Sequence, residues 1–198
     1  FFTSHQKRNS QVFADDNVVQ EFIGSYEPEY SALDMEHPVS IGSYMNEPDL
    51  INNRYQLHLA MEKAGELLPE LFASFKELSG REYGKVEGVY CEDAKSILVL
   101  LGSSYDTSIE AMEELRSSGK KAGAATLHVL RPFPGKELCE LMGNVSNIMV
   151  ADRQDSYGAG GGNMSLEIRA ALQKCGISLK AYTRIYGLGG LGFYEEDV

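Results

Sequence analysis

Residues 96–101 read Ser-Ile-Leu-Val-Leu-Leu and are followed by Gly102. A short run that is apolar at successive positions, not alternate ones, and that stops at a glycine suits a strand buried on both faces. Such a strand needs a layer on each side, and helices packed above and below a parallel sheet meet that need. Further apolar runs at 125–130, 147–151 (Asn-Ile-Met-Val-Ala) and 179–186 alternate with helical stretches at 106–117, 135–142 and 164–174. In 106–117 the residues Ile109, Met112 and Leu115 share one helical face, and Gly119 stands where a helix ends in a glycine. This alternation predicts an α/β fold of three layers, α/β/α, with a mostly parallel sheet. Between the second strand and the second helix lies Arg131-Pro132-Phe133-Pro134. Proline suits a helix's first turn, where its missing N–H would be unsatisfied in any case, so the chain turns sharply here and leaves Arg131 beside a rigid corner.

Residues 49–79 carry apolar side chains at helical spacing, among them Tyr55, Leu59, Ala64, Leu67, Leu68, Leu71, Phe72 and Phe75. Pro48 and Asp49 suit the start of this helix and Gly80 its end, while Pro69 predicts a kink or a split. Residues 1–48 differ from the rest. They hold Pro28, Pro38 and Pro48, and their apolar clusters (Val18-Val19, Phe22-Ile23) lack a sustained period. The expected organisation is an extended, irregular segment over 1–48 that lies across another surface, followed by an α/β domain over 49–198.

Hydrophobic content of 43% and charged content of 24% belong to a water-soluble globular chain. No apolar run approaches the ~20 residues needed to span a bilayer. A net charge of −11 argues against a nucleic-acid or anionic-membrane surface. Phe1-Phe2-Thr3-Ser4-His5 shows no signal-peptide pattern, and the chain does not begin with Met, so processing or a longer parent is expected. Cys91, Cys139 and Cys175 are odd in number, widely spaced and without a CxxC pair. This argues against a disulfide framework, a zinc site or an iron–sulfur cluster held by this chain alone. Cys139 and Cys175 are therefore expected to be packing residues in a reducing, cytoplasmic setting.

Two strand-to-helix loops could receive a ligand at the carboxyl end of the sheet. One, 152–162, contains Gly158, Gly160, Gly161 and Gly162, and could present N–H groups to an anion. Its spacing is neither GxGxxG nor a P-loop, and a tight turn or close packing against a neighbouring subunit is the preferred reading. The other, 102–107, holds Ser103 and Ser104. There Ser104 or Asp106 is expected to cap the helix. With Arg131, the candidate anion or interface residues are Ser103, Ser104, Gly158, Gly160 and Gly161. The scattered histidines His5, His37, His58 and His128 form no metal spacing, no catalytic constellation is evident, and the acidic run 195–197 reads as a solvated tail. The glycine-rich stretch 186–192 must pass something closely or turn repeatedly.

Several motifs, taken in order, resemble one family. They are Arg54-Tyr55, Ala60-Met61-Glu62, Gly80-Arg81-Glu82-Tyr83-Gly84, Glu92-Asp93-Ala94, Gly102-Ser103, Arg131-Pro132-Phe133-Pro134, Asp152-Arg153 with Ser156-Tyr157-Gly158 and Gly160-Gly161, and Tyr186-Gly187-Leu188-Gly189-Gly190. Over roughly residues 45–190 the chain resembles the pyruvate and other 2-oxoacid:ferredoxin (or flavodoxin) oxidoreductases. It looks like their second domain, which is similar to the C-terminal domain of transketolase. Phe2-Thr3-Ser4-His5 looks like the end of the family's first domain, with Phe2 where Arg is frequent, and Leu191-Gly192 stand where Arg-Asp often follows the Gly-Gly. The resemblance implies oxidative decarboxylation of a 2-oxoacid to an acyl-CoA by the whole enzyme. Thiamine pyrophosphate, Mg²⁺, [4Fe–4S] clusters and coenzyme A would be held elsewhere, with none bound by this chain. It also implies a non-catalytic scaffold role, contacts with the other subunits, ferredoxin or flavodoxin as acceptor, and an oligomer. Two alternatives stay open: an anion- or coenzyme-A-binding module built on the glycine-rich loops, and the equivalent domain of a transketolase-like enzyme.

Overall fold

The computed structural model describes residues 10, 15–42 and 44–198; the Phe2–His5 motif lies outside them. Two units can be told apart, one ending at Glu62 and the other comprising residues 63–198.

The first unit contains α1 (Asp16–Ile23), where an irregular segment was expected. The helix has a local cause. The Asp15 side chain accepts the Asn17 N–H at 2.9 Å, Asp16 lies in the positive first turn, and Gly24 ends the helix at φ 75. No residue of α1 is buried. Further on, the Asp34 carboxylate accepts the N–H groups of Glu36 and His37 at 2.9 and 3.1 Å, and these bonds hold its carboxyl below the usual range.

α2 (Asp49–Ser79) is one helix of 31 residues, and Pro69 does not split it. The proline removes one N–H from a ladder long enough to hold on both sides of it. Gly65, its buried residue, lies against the corner: a Cβ there would stand 2.7 Å from Pro132 Cγ.

The sheet has the order β1-β3-β2-β4-β5, with β1 (Val86–Val89) antiparallel to β3 (Ala122–Leu127). The neighbours β2 (Ser96–Leu100), β4 (Asn147–Asp152) and β5 (Lys180–Ile185) are parallel, with Leu98 level with both Ala124 and Met149. β1 was not foreseen, because Val-Glu-Gly-Val is too short and too interrupted to carry a period. β3 lies three residues before the expected run. Its small Ala122, Gly123, Ala124 and Ala125 lack the strand signature, yet close packing requires them: a Cβ on Gly123 would stand 2.7 Å from the Tyr90 carbonyl oxygen.

The helices form the outer layers. Ile97, Val99, Ala125, Ile148 and Val150 point to α4 (Gly135–Leu141) and α5 (Asn163–Lys174), meeting Leu138, Met142, Ile168 and Leu172. Leu100, Ala124 and Ala151 face the other way and pack on Tyr105 and Met112 of α3 (Ser103–Ser117). The run 96–101 therefore does serve both faces. Each of the buried valine, leucine, isoleucine and methionine side chains contributes about 1.5–3 kcal/mol by leaving water, and the alanines less. The fold is α/β with three layers around a mostly parallel sheet.

Two local expectations are corrected. α3 starts at Ser103 with Gly102 (φ 62) as its N-cap, so neither Ser104 nor Asp106 caps it. Cys139 and Cys175 are joined by a disulfide, their Cα atoms 6.5 Å apart. They are 36 residues apart in sequence, and only the side-by-side packing of α4 and α5 brings them together. Cys91 is the free, buried cysteine, and burial pushes its thiol up to about 11.

Candidate functional site

From β2 the chain crosses to β3 on one side, and from β3 it crosses back over β2 to β4 on the other. The carboxyl ends of β2 and β4 therefore flank the topological switch point, the crevice where open α/β sheets receive ligands. Gly102 and the first turn of α3 close one side of it and loop 153–162 the other.

Arg153 fills this crevice. Its Nη2 donates to Ser104 Oγ at 3.3 Å, and its guanidinium lies 5.1 Å from the centroid of the Tyr186 ring. Gly187 (φ 63) makes the approach possible, since a Cβ there would stand 3.0 Å from Arg153 Nε. One side chain thus ties together the ends of β2, β4 and β5.

Asp152, the last residue of β4, is buried and turns under α5, where its Oδ2 accepts the Ser165 N–H at 3.1 Å. Burial pushes its carboxyl above the ordinary aspartate value, while the N–H groups of Ser165 and Met164 pull the other way. The N-terminus of α5 already holds an anion, the chain's own carboxylate, at the place where a phosphate would sit. The glycines make room for this. A Cβ on Gly162 would overlap the Asp152 side chain and the Gln154 carbonyl, and one on Gly161 would meet Thr183 Oγ1 at 2.8 Å. Gly158 and Gly160 adopt φ of 85 and 79, which only glycine enters freely.

The candidate residues therefore divide. Ser103 and Ser104, in the first turn of α3, and Gly158, Gly160 and Gly161, in the 153–162 loop, lie at the crevice. Arg131 does not join them. It forms a two-bond ion pair with Glu167 of α5, with Nη1 to Oε2 at 3.1 Å and Nη2 to Oε1 shorter still.

A second polar group went unforeseen. Tyr105 Oη donates to Glu87 Oε1 at 3.4 Å, His128 Nε2 lies 3.3 Å from Glu87 Oε2, and Tyr83 meets the His128 ring edge-on at 6.0 Å. With Asp106 they line a cavity of about 570 Å³ beside the ends of β2 and β3. Burial and the Glu87 charge push the Tyr105 phenol up, so it remains a neutral donor. The missing signal was β1: without that strand, Glu87 had no place near Tyr105 and His128. Among the described residues no group of three His, Cys, Asp or Glu side chains is arranged to hold a metal ion, and no helix is long and apolar enough to cross a membrane.

The family model described as "Pyruvate:ferredoxin oxidoreductase core domain II" matches residues 94–198. The chain is 36% identical over 174 residues to pyruvate synthase subunit PorA of Methanothermobacter thermautotrophicus, covering 86% of this chain and 44% of that protein. It is 33% identical over 198 residues to PorA of Thermotoga maritima, covering 100% of this chain and 50% of the relative. With ketoisovalerate oxidoreductase subunit VorA of Pyrococcus abyssi it shares 36% identity over 182 residues, 91% of this chain and 46% of the relative. The chain thus spans about half the length of the curated relatives it matches.

Proposed function

Because the chain belongs to the pyruvate:ferredoxin oxidoreductase core domain II family, we propose that it is a non-catalytic scaffold within a 2-oxoacid:ferredoxin oxidoreductase. Its task is to hold the cofactor-bearing parts in register and to supply subunit contacts. The observation that carries this reading is the filled switch point: Arg153 occupies the crevice between β2 and β4, and Asp152 occupies the N-terminus of α5. The loops that could have received a ligand are used instead to lock three strand ends together. Segment 1–48 would be the tail of a preceding domain, and 49–198 the scaffold.

The whole enzyme would convert a 2-oxoacid to an acyl-CoA in the cytoplasm and pass electrons to ferredoxin or flavodoxin. When bound, thiamine pyrophosphate with Mg²⁺ supplies the decarboxylation chemistry and the iron–sulfur clusters carry the electrons. This chain's donors do not fit such a cluster, which takes four thiolates, because Cys139 and Cys175 are joined and Cys91 is buried.

The test is turnover. Purified alone and given thiamine pyrophosphate, Mg²⁺, coenzyme A and pyruvate, the chain should reduce no ferredoxin, and measurable thiamine-dependent turnover would overturn the reading. Coenzyme A should also leave its melting temperature unchanged. A binding module at ~100 times its Kd would instead gain roughly 2.7 kcal/mol.

A further inference from the structure

We propose that Cys139 and Cys175 form a reversible thiol switch that fastens α4 to α5 and is worked by a small anionic thiol–disulfide couple. Cys139 is buried in α4 beneath α5, at 6% exposure, whereas Cys175 follows the last turn of α5 and is exposed. Their Cα separation of 6.5 Å lies within the span that a disulfide bridges without backbone movement. The pair is asymmetric: one sulfur is open to an attacking thiolate, and the other is not.

What surrounds the open sulfur points to the reagent. Cys175 lines a cleft of about 870 Å³ between α4 and α5, whose walls include Lys136, Lys174, Pro132, Phe133, Leu166 and Ala170. The carboxylates that reach the same cleft are engaged: Glu137 pairs with Lys85 at 2.8 Å and Glu167 with Arg131. An apolar trough edged by ammonium groups suits a small, negatively charged thiol peptide more than a cationic reductant. Glutathione, a tripeptide with net negative charge, is the probe of choice.

The exchange balances in two steps. A glutathione thiolate attacks Cys175 Sγ, the Cys139–Cys175 bond breaks, and Cys139 leaves as a thiolate that takes a proton. A second thiolate then attacks the glutathione sulfur of the mixed disulfide, releasing Cys175 and glutathione disulfide. Overall, two glutathiones are oxidised as one protein disulfide is reduced. In the reverse direction glutathione disulfide is the oxidant. Closing the bond joins residues 36 apart and so constrains the unfolded chain across β4 and α5.

The experiment equilibrates the chain with glutathione and glutathione disulfide in varied ratio, quenches with acid, alkylates the unfolded protein with N-ethylmaleimide and reads the intact mass. The expected result is three adducts at the reducing end and one at the oxidising end, with no glutathione retained. The oxidised form should melt about 10 °C higher. Cys139→Ser should trap glutathione on Cys175, and Cys175→Ser should trap none. Three adducts at every ratio, or a mixed disulfide persisting in the unmodified chain at the oxidising end, would overturn the proposal. So would protection that survives Cys175→Ser, a change at an exposed position that leaves folding intact.

Discussion

Gly162 stands where a side chain has no room. Its missing side chain is the space taken by Asp152 and the Gln154 carbonyl, so Gly162→Ala must push the β4–α5 loop off the strand. The expected cost is about 2–3 kcal/mol in urea unfolding, typical of an overpacked interior. Gly143→Ala, whose Cβ would meet the Glu140 and Cys139 carbonyl oxygens at an ordinary 3.7 and 3.9 Å, should cost far less. Asp152 itself gives a pH signature. Burial raises its carboxyl above 3.8, so the folded chain holds that proton more tightly than the unfolded chain. Its contribution to stability is therefore fully present below the unfolded value and is lost as pH rises through the raised one. Asp152→Asn keeps the acceptor and removes the charge. Relative to the parent, it should gain stability between pH 4 and pH 7, measured by denaturant unfolding at both, and a difference that stays flat would refute this account. The glycine run was visible in the sequence as a place of close packing. What it packs against, a carboxylate from the strand that precedes it, was not.

At the scale of elements, the end of α3 is held by Arg116. Its Nε donates to the Ala122 carbonyl at 2.9 Å, its Nη2 to the Tyr90 carbonyl at 2.8 Å and to Asp93 Oδ1 at 2.6 Å, and it stacks over the Tyr90 ring. This one side chain ties α3 to β3 and to the turn between β1 and β2. Arg116→Ala should cost about 2–3 kcal/mol, and Arg116→Lys should recover little, because an ammonium cannot present the planar fork. A thermal melt of the two variants against the parent decides the point. The Arg131–Glu167 pair should matter less. Arg131 keeps 60% of its side chain exposed, so Glu167→Gln should change stability by under about 1 kcal/mol. Periodicity located α2, α3, α4 and α5 within a few residues; α3, α4 and α5 each bury apolar side chains on one face, whereas in α2 the buried residue is Gly65. It missed β1 and misplaced β3, because a short edge strand and an alanine–glycine strand owe their place to their neighbours, not to their own pattern.

Across the whole molecule, stability is concentrated in β2, β3 and β4, which carry most of the residues at or near zero exposure, whereas no residue of α1 is buried. Hydrogen exchange should reflect this. The amides of Val99, Ala125 and Val150 should exchange at rates set by global unfolding, and those of Asp16–Ile23 at least roughly 10³-fold faster. Comparable protection in both would show that α1 is held by something other than its own cap and turn. The same contrast separates the two units. Residues 63–198 contain the sheet and its two apolar clusters, while the residues up to Glu62 hold a capped helix, local turns and the first part of α2.

The sequence by itself determined the α/β alternation, the doubly buried central strand, the sharp corner before α4 and the family, because each depends on spacing along the chain. Only the tertiary structure decided that Arg153 fills the switch point, that Asp152 serves as the anion of α5, that Arg131 pairs with Glu167 and that Cys139 meets Cys175. These contacts join residues 13 to 49 positions apart, and no local period records which side chain will face which once the sheet has closed.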